Sequence, residues 1–152
     1  MEKALIGGGC FWSIEEYYRK LQGIINTKVG YSGGHIENPT YEDVCLGTTE
    51  HVEVVQIEFN EKIIPYSQII KYFWLCHDPT QLNRQGPDIG RQYRSVIFYF
   101  SDEQQKLAFE SKKQKQLSLS DLIVTEILPA KEFYLAEKYH QLFIYKRGKT
   151  ET

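Results

Sequence analysis

Apolar residues along this chain switch between a period of two and a period near 3.6, and the switches outline its elements. Residues 4–6 (Ala-Leu-Ile) form a short continuous apolar run that predicts a buried strand. Phe11, Ile14, Tyr17, Tyr18 and Leu21 then recur at helical spacing as far as Gly23, so the first helix follows the first strand directly. Ser13-x-x-Glu16 is a capping-box pattern and leaves the start of that helix open, but either start puts Cys10 near its N-terminus. Residues 25–31 predict a second strand, and 51–59 the clearest one. In the latter Glu53, Val55, Ile57 and Phe59 share one face, while Gln56 and Glu58 lie on the other. Pro65 opens a helix through Ile69, Ile70, Phe73, Trp74 and His77, and Asp78-Pro79 ends it. Residues 93–100 predict an aromatic strand, Ser101-x-x-Gln104 caps a polar helix to about Gln116, and 122–128 predict a further strand. A short helix is expected within 133–145. The segments 32–47 and 80–90 read as long polar loops, which in a small domain are usually functional or disordered.

This order, strand-helix-strand-strand-helix-strand, is the split βαβ arrangement of ferredoxin-like α+β folds. The expected fold is therefore a βαββαβ core with an added C-terminal helix, strand and coil, all within one domain spanning residues 1–152. The 41% hydrophobic content suits a single core. A net charge of −2 with no basic run longer than Lys112-Lys113 offers no footprint for nucleic acid. No stretch is long and apolar enough to span a membrane, and the N-terminal residues lack a signal-peptide pattern, so a cytoplasmic protein is expected, and it is taken to be a monomer. Three irregularly spaced cysteines, Cys10, Cys45 and Cys76, argue against a disulfide scaffold.

The candidate chemistry centres on Gly7-Gly8-Gly9-Cys10-Phe11-Trp12, where a strand gives way to a helix. Partial positive charge and free backbone N–H groups at a helix N-terminus favour a thiolate, which predicts a Cys10 pKa lowered from ~8.5 toward ~7. The competing reading is a small buried hydrophobe, although three consecutive glycines imply backbone brought close to something. Glu53, on the apolar face of its strand, is a candidate neutral acid, and holding it protonated at pH 7 requires its pKa to rise by about 3. Parity alone also allows a carboxylate at the wet end of the strand, beside His51 and paired with a cation. Phe11 and Trp12 read equally as a substrate pocket or as core packing.

A thiol nucleophile, a carboxylic acid and an aromatic pocket suit the reduction of a sulfoxide, whose sulfur is attacked as its oxygen is protonated. The cysteine would leave that reaction as a sulfenic acid and would need a second thiol to restore it. Other chemistries have less behind them. The glycine run matches neither GxGxxG nor GxxxxGK[ST], and Cys45, His51, Cys76 and His77 lack the spacing of a metal site, so no cofactor or metal is expected. A Cys-His hydrolase and a peptide-binding module stay open.

Beyond Gly9-Cys10-Phe11-Trp12, the chain carries Gly30-Tyr31-Ser32-Gly33-Gly34, Pro39-Thr40-Tyr41-Glu42-Asp43-Val44-Cys45 and His51-Val52-Glu53-Val54-Val55. Further blocks are His77-Asp78-Pro79-Thr80, Asn83-Arg84-Gln85-Gly86 with Asp88, Gln92-Tyr93-Arg94-Ser95, and Ala136-Glu137-Lys138-Tyr139-His140-Gln141. In these blocks it resembles the peptide methionine sulfoxide reductase A family over nearly its whole length. The resemblance implies that Cys10 attacks the sulfoxide sulfur, Glu53 protonates its oxygen, and Tyr41 and Tyr93 hydrogen-bond that oxygen. It implies that Phe11 and Trp12 form a methyl pocket and that Asp88 orients groups and water near Cys10. It also implies specificity for the S epimer, action on free and protein-bound methionine sulfoxide, and recycling by thioredoxin. The chain departs from many relatives in having no cysteine in residues 142–152 and Ser13 where some have a second cysteine. Recycling then falls to Cys45, Cys76 or an outside thiol; it is expected from outside, by thioredoxin, glutaredoxin or glutathione, with Cys76 a buried structural thiol.

Overall fold

The structure, a computed structural model, describes the backbone of residues 1–150 and the side chains of residues 1–146. Strand β1 (Glu2–Gly7) lies at the centre of a six-stranded sheet, antiparallel to β3 (Val52–Phe59) on one side and to β6 (Val96–Tyr99) on the other. Beyond β3 comes β2 (Ile24–Ser32), so the core order is β6-β1-β3-β2. Helices α1 (Phe11–Arg19) and α3 (Tyr66–Cys76) make the two crossovers. This is the ferredoxin-like α+β arrangement. The added helix and strand are α4 (Asp102–Gln116) and β7 (Glu126–Pro129), which extend the β6 edge in parallel.

The two-residue period of the strands sorts the apolar residues into two layers. Ala4, Ile6, Val29, Tyr31, Val55, Ile57 and Phe59 meet Phe11, Ile14 and Tyr18 of α1 and Ile69, Ile70 and Phe73 of α3. The opposite face packs Leu5, Val52, Val54, Val96 and Phe98 under Leu128, Ala130 and Phe133.

Several boundaries differ from expectation. Of the starts left open for α1, the helix takes Phe11 with Cys10 as its N-cap, because Glu16 pairs with Arg19 and Lys20 instead of reaching back to Ser13, and it ends at Arg19, short of the expected Gly23. The 32–47 segment contains a one-turn helix α2 (Tyr41–Cys45), whose N-cap Thr40 exchanges hydrogen bonds with Asp43 in a capping box. The 80–90 segment contains a hairpin of β4 (Arg84–Gln85) and β5 (Asp88–Ile89). Arg91–Tyr93 is a 3₁₀ turn, so the aromatic strand starts only at Val96. The 133–145 segment begins with β8 (Tyr134–Leu135), which closes the β2 edge, and a 3₁₀ turn (Lys138–His140) leads to α5 (Phe143–Thr150).

Candidate active site

At one end of the sheet β1 finishes while β3 and β6 begin, and this antiparallel arrangement gathers residues distant in sequence. Ile6 pairs with Val55 and Gly7 with Val96, so the segments holding Glu53 and Tyr93 flank the turn that leads into Cys10. That turn is held from both sides. Gly9 takes φ +96°, and its N–H donates to the Tyr93 carbonyl at 3.1 Å. A Cβ on Gly8 would stand 2.7 Å from the His77 ring, so the close approach requires glycine. Burial lowers the His77 pKa to about 4, which keeps the ring neutral. It donates through Nδ1 to the Phe73 carbonyl at 2.7 Å and accepts at Nε2 from the Ser95 hydroxyl at 2.7 Å. It is a rigid wall behind the thiol's loop.

Glu53 lies on the helix side of β3, 1% exposed, opposite Tyr31 on β2. The wet-end alternative is ruled out. Its Oε1 accepts the Phe11 backbone N–H at 3.2 Å, one of the free donors of the first turn of α1, while Oε2 is buried without a partner. Burial raises its pKa to about 8 against the pull of that N–H, and the charge of Asp88 adds to the rise. At pH 7 the group is a carboxylic acid.

Cys10 behaves opposite to the expectation from its helix position. Burial first, and the negative charge of Glu53 second, raise its pKa to about 11, although the N–H groups of Trp12 and Ser13 pull it down. Half a positive charge spread over a helix N-terminus is outweighed by loss of water and, once Glu53 ionises above about pH 8, by its carboxylate close by. The resting group is a thiol.

Tyr93, at the end of its 3₁₀ turn, has a pKa raised to about 12 by burial, then by the charges of Glu53, Asp88, Cys45 and Cys10. Tyr41, the first residue of α2, is raised by burial and by a hydrogen bond to Cys45, and it too feels Glu53. Asp88, on the hairpin strand β5, makes itself felt at Cys10, Glu53 and Tyr93. All seven residues singled out in the sequence thus converge: Phe11 is buried in the core, and the half-buried Trp12 is tilted against it with centroids 6.3 Å apart.

Sequence reasoning gave no separate role to Glu137. Its Oε1 accepts from the Tyr31 hydroxyl and its Oε2 from the Tyr41 backbone N–H, both at 3.2 Å, so it ties α2 to the sheet. Only its place in the block 136–141 marked it, since hydrophobic periodicity is silent about such a bridge. Cys76 donates to the Phe73 carbonyl at 3.3 Å, and burial raises its pKa to about 12, as suits a structural thiol. Among the described residues no three His, Cys, Asp or Glu side chains are grouped to hold a metal ion, and no helix is long and apolar enough to cross a membrane.

A thiol beside a neutral carboxylic acid and two phenols, on an α+β scaffold with an aromatic wall, defines a thiol-dependent oxidoreductase. The family model described as "Peptide methionine sulfoxide reductase" matches residues 2–152. "Peptide methionine sulfoxide reductase MsrA" of Methanothermobacter thermautotrophicus is 56% identical over 147 residues, covering 95% of this chain and 87% of that one. The reduced form of Mxr1 from Saccharomyces cerevisiae superposes with a TM-score of 0.93 at 38% identity, covering 97% of this chain and 86% of that one. Mxr1 in complex with Trx2 superposes at 0.66 with 27% identity, covering 93% and 84%. The chain belongs to the peptide methionine sulfoxide reductase family.

Proposed function

We propose that this protein reduces methionine sulfoxide, free and within proteins, to methionine, with Cys10 as nucleophile and Glu53 as acid. The observation that carries this reading is the Glu53 carboxyl itself, neutral to about pH 8 and anchored on the first turn of the helix that Cys10 caps. Reduction moves two electrons from the Cys10 sulfur to the substrate sulfur and moves the oxygen the other way. Glu53 gives its proton to the sulfoxide oxygen, which makes the substrate sulfur electrophilic. The Cys10 thiol must lose its own proton as it attacks. The carboxylate just formed is the charge that acts most strongly on Cys10 and is the acceptor for that proton. Methionine leaves, Cys10 becomes a sulfenic acid, and Glu53 is again an acid.

Tyr41 and Tyr93 stay protonated at neutral pH and serve as hydrogen-bond donors to the sulfoxide oxygen as its charge grows. Asp88 orients groups and water near Cys10, where its charge also keeps Glu53 protonated. Phe11 and Trp12 form the apolar wall for the substrate methyl group. Specificity for the S epimer is inferred from the family resemblance; a methyl on that wall and an oxygen toward Glu53 would admit one handedness at sulfur.

The sulfenic acid is resolved from outside. Cys10, Cys45 and Cys76 are unpaired, and Cys76 is held against the Phe73 carbonyl with its pKa raised by burial. The Mxr1–Trx2 complex supports thioredoxin as the reductant, with glutaredoxin and glutathione as further candidates. We place the enzyme in the cytoplasm as a monomer.

Epimer-resolved chromatography of a methionine sulfoxide peptide, incubated with the protein and dithiothreitol, tests the reading. Loss of the S epimer alone, absent in Cys10→Ser, is the expected result. Survival of both epimers with the wild-type protein would contradict it and return attention to hydrolysis or peptide binding.

A further inference from the structure

The aromatic wall beside Cys10 is held in place by a segment more than a hundred residues away. Trp12 donates its indole Nε1–H to His140 Nδ1 at 3.1 Å. Phe143 stacks on the indole with centroids 3.9 Å apart and planes 14° from parallel. The His140 ring lies 5.4 Å from both Trp12 and Phe11 and 4.5 Å from Tyr41, so it touches three of the side chains assigned to substrate.

His140 is itself fixed. It is 1% exposed, and its backbone N–H donates to the Glu137 carbonyl at 2.9 Å. The Gln141 side chain accepts from the Val29 N–H and donates to the carbonyls of Val29 and Ala136, which pins the segment to β2. Leu142 then donates its N–H to buried Glu15 of α1 at 2.7 Å. A neutral imidazole has one N–H and one lone pair, so accepting at Nδ1 puts the proton on Nε2. Burial lowers the His140 pKa, which keeps that form at neutral pH.

We propose that His140 is a positioning residue: by accepting the Trp12 indole N–H it fixes the plane of the ring against which the substrate methyl group rests. This rests on the assignment of Trp12 to the methyl pocket. A half-buried indole without that acceptor turns about its two side-chain torsions to find water, and the pocket wall turns with it. The wall contributes to binding before chemistry begins, so the effect falls on KM and leaves kcat nearly unchanged.

Hydrogen exchange of the two indole N–H groups, read by nitrogen-15 NMR of the wild-type protein with Trp12→Phe to assign them, is the first test. Slow exchange at Trp12 is expected, with at least tenfold faster exchange in His140→Phe and retained protection in His140→Asn, whose amide oxygen replaces Nδ1. Kinetics give the second test. His140→Phe is expected to raise KM for a methionine sulfoxide peptide about five- to tenfold with kcat within about twofold, the effect of one part-buried hydrogen bond. His140→Asn is expected to stay within about twofold of wild type. In a Trp12→Phe background, with no indole N–H to accept, His140→Phe is expected to change KM by less than about twofold. Fast exchange of the wild-type Trp12 indole, or an equal KM rise with and without that indole, overturns the proposal. Should His140→Phe fail to fold, wild-type exchange and His140→Asn decide by the same criteria. A wild-type protein that leaves methionine sulfoxide untouched overturns the functional reading instead, which separates the two failures.

Discussion

Glu53 keeps its proton to about pH 8, whereas an unperturbed carboxyl loses it near 4.5, so between those values the native chain holds a proton that the unfolded chain has released. Stability therefore falls as pH rises through that window, by on the order of 5 kcal/mol in all, and the loss is nearly complete above about pH 8. Glu53→Gln, which cannot ionise, is expected to melt several degrees above wild type at pH 8.5 and to differ little at pH 4.5, as calorimetry at the two values would show. The same substitution removes the transferable proton. A fall of several powers of ten in the single-turnover rate is expected, and an unchanged rate would move proton donation to a tyrosine or to water. The wild-type rate is expected to decline tenfold per pH unit above about 8, as Glu53 loses its proton. These features differ in how far sequence reveals them. Strand parity put Glu53 on the buried face, because a period of two is blind to tertiary detail. The Cys10 pKa is not legible for the converse reason: the helix N-terminus is visible in sequence, but burial and the charges of Glu53 and Asp88 arise only when β1, β3 and the hairpin meet.

Among the elements, α2 is short enough that its cap decides whether it forms. Five residues cannot sustain a helix by propensity alone, so the Thr40–Asp43 capping box and the Glu137 anchor hold Tyr41 in place. Thr40→Ala is expected to cost about 1 kcal/mol of stability and to lower kcat/KM as well, because Tyr41 loses its setting. Ser101→Ala, which removes the hydrogen-bonding cap of α4, is expected to cost a similar amount with activity unchanged. Equal kinetic effects of the two substitutions would show that the α2 cap has no special bearing on the site. Long periodic elements such as β3 and α3 are legible in the sequence because their burial patterns repeat, and α4 because Ser101-x-x-Gln104 caps a long polar run. Helix α2, the β4–β5 hairpin and the 3₁₀ turns were not, since each is too short for a period to register. Thr40-x-x-Asp43 was nonetheless a readable helix start, obscured by the surrounding turn residues.

At the scale of the whole molecule, the ferredoxin-like order of strands explains why one end of the sheet carries the chemistry. The antiparallel pairing of β1 with β3 and β6 brings the start of one helix to the start of two strands, and the C-terminal segment closes over the result through Glu137, His140 and Glu15. Strand order was legible because element order restricts the topologies available. The return of residues 136–143 to α1 was not, since polar bridges leave no periodic trace. Under the proposed function Cys10 is the only redox-active thiol of the reductive step, restored by a reductant from outside. The most direct test is to mix the reduced protein with excess methionine sulfoxide and no other thiol, trap with dimedone, and weigh the protein and its peptides by mass spectrometry. One equivalent of methionine per chain, with one dimedone adduct confined to Cys10, is the predicted result; a stoichiometric Cys10–Cys45 disulfide, or methionine formed with Cys10 unmodified, would contradict it.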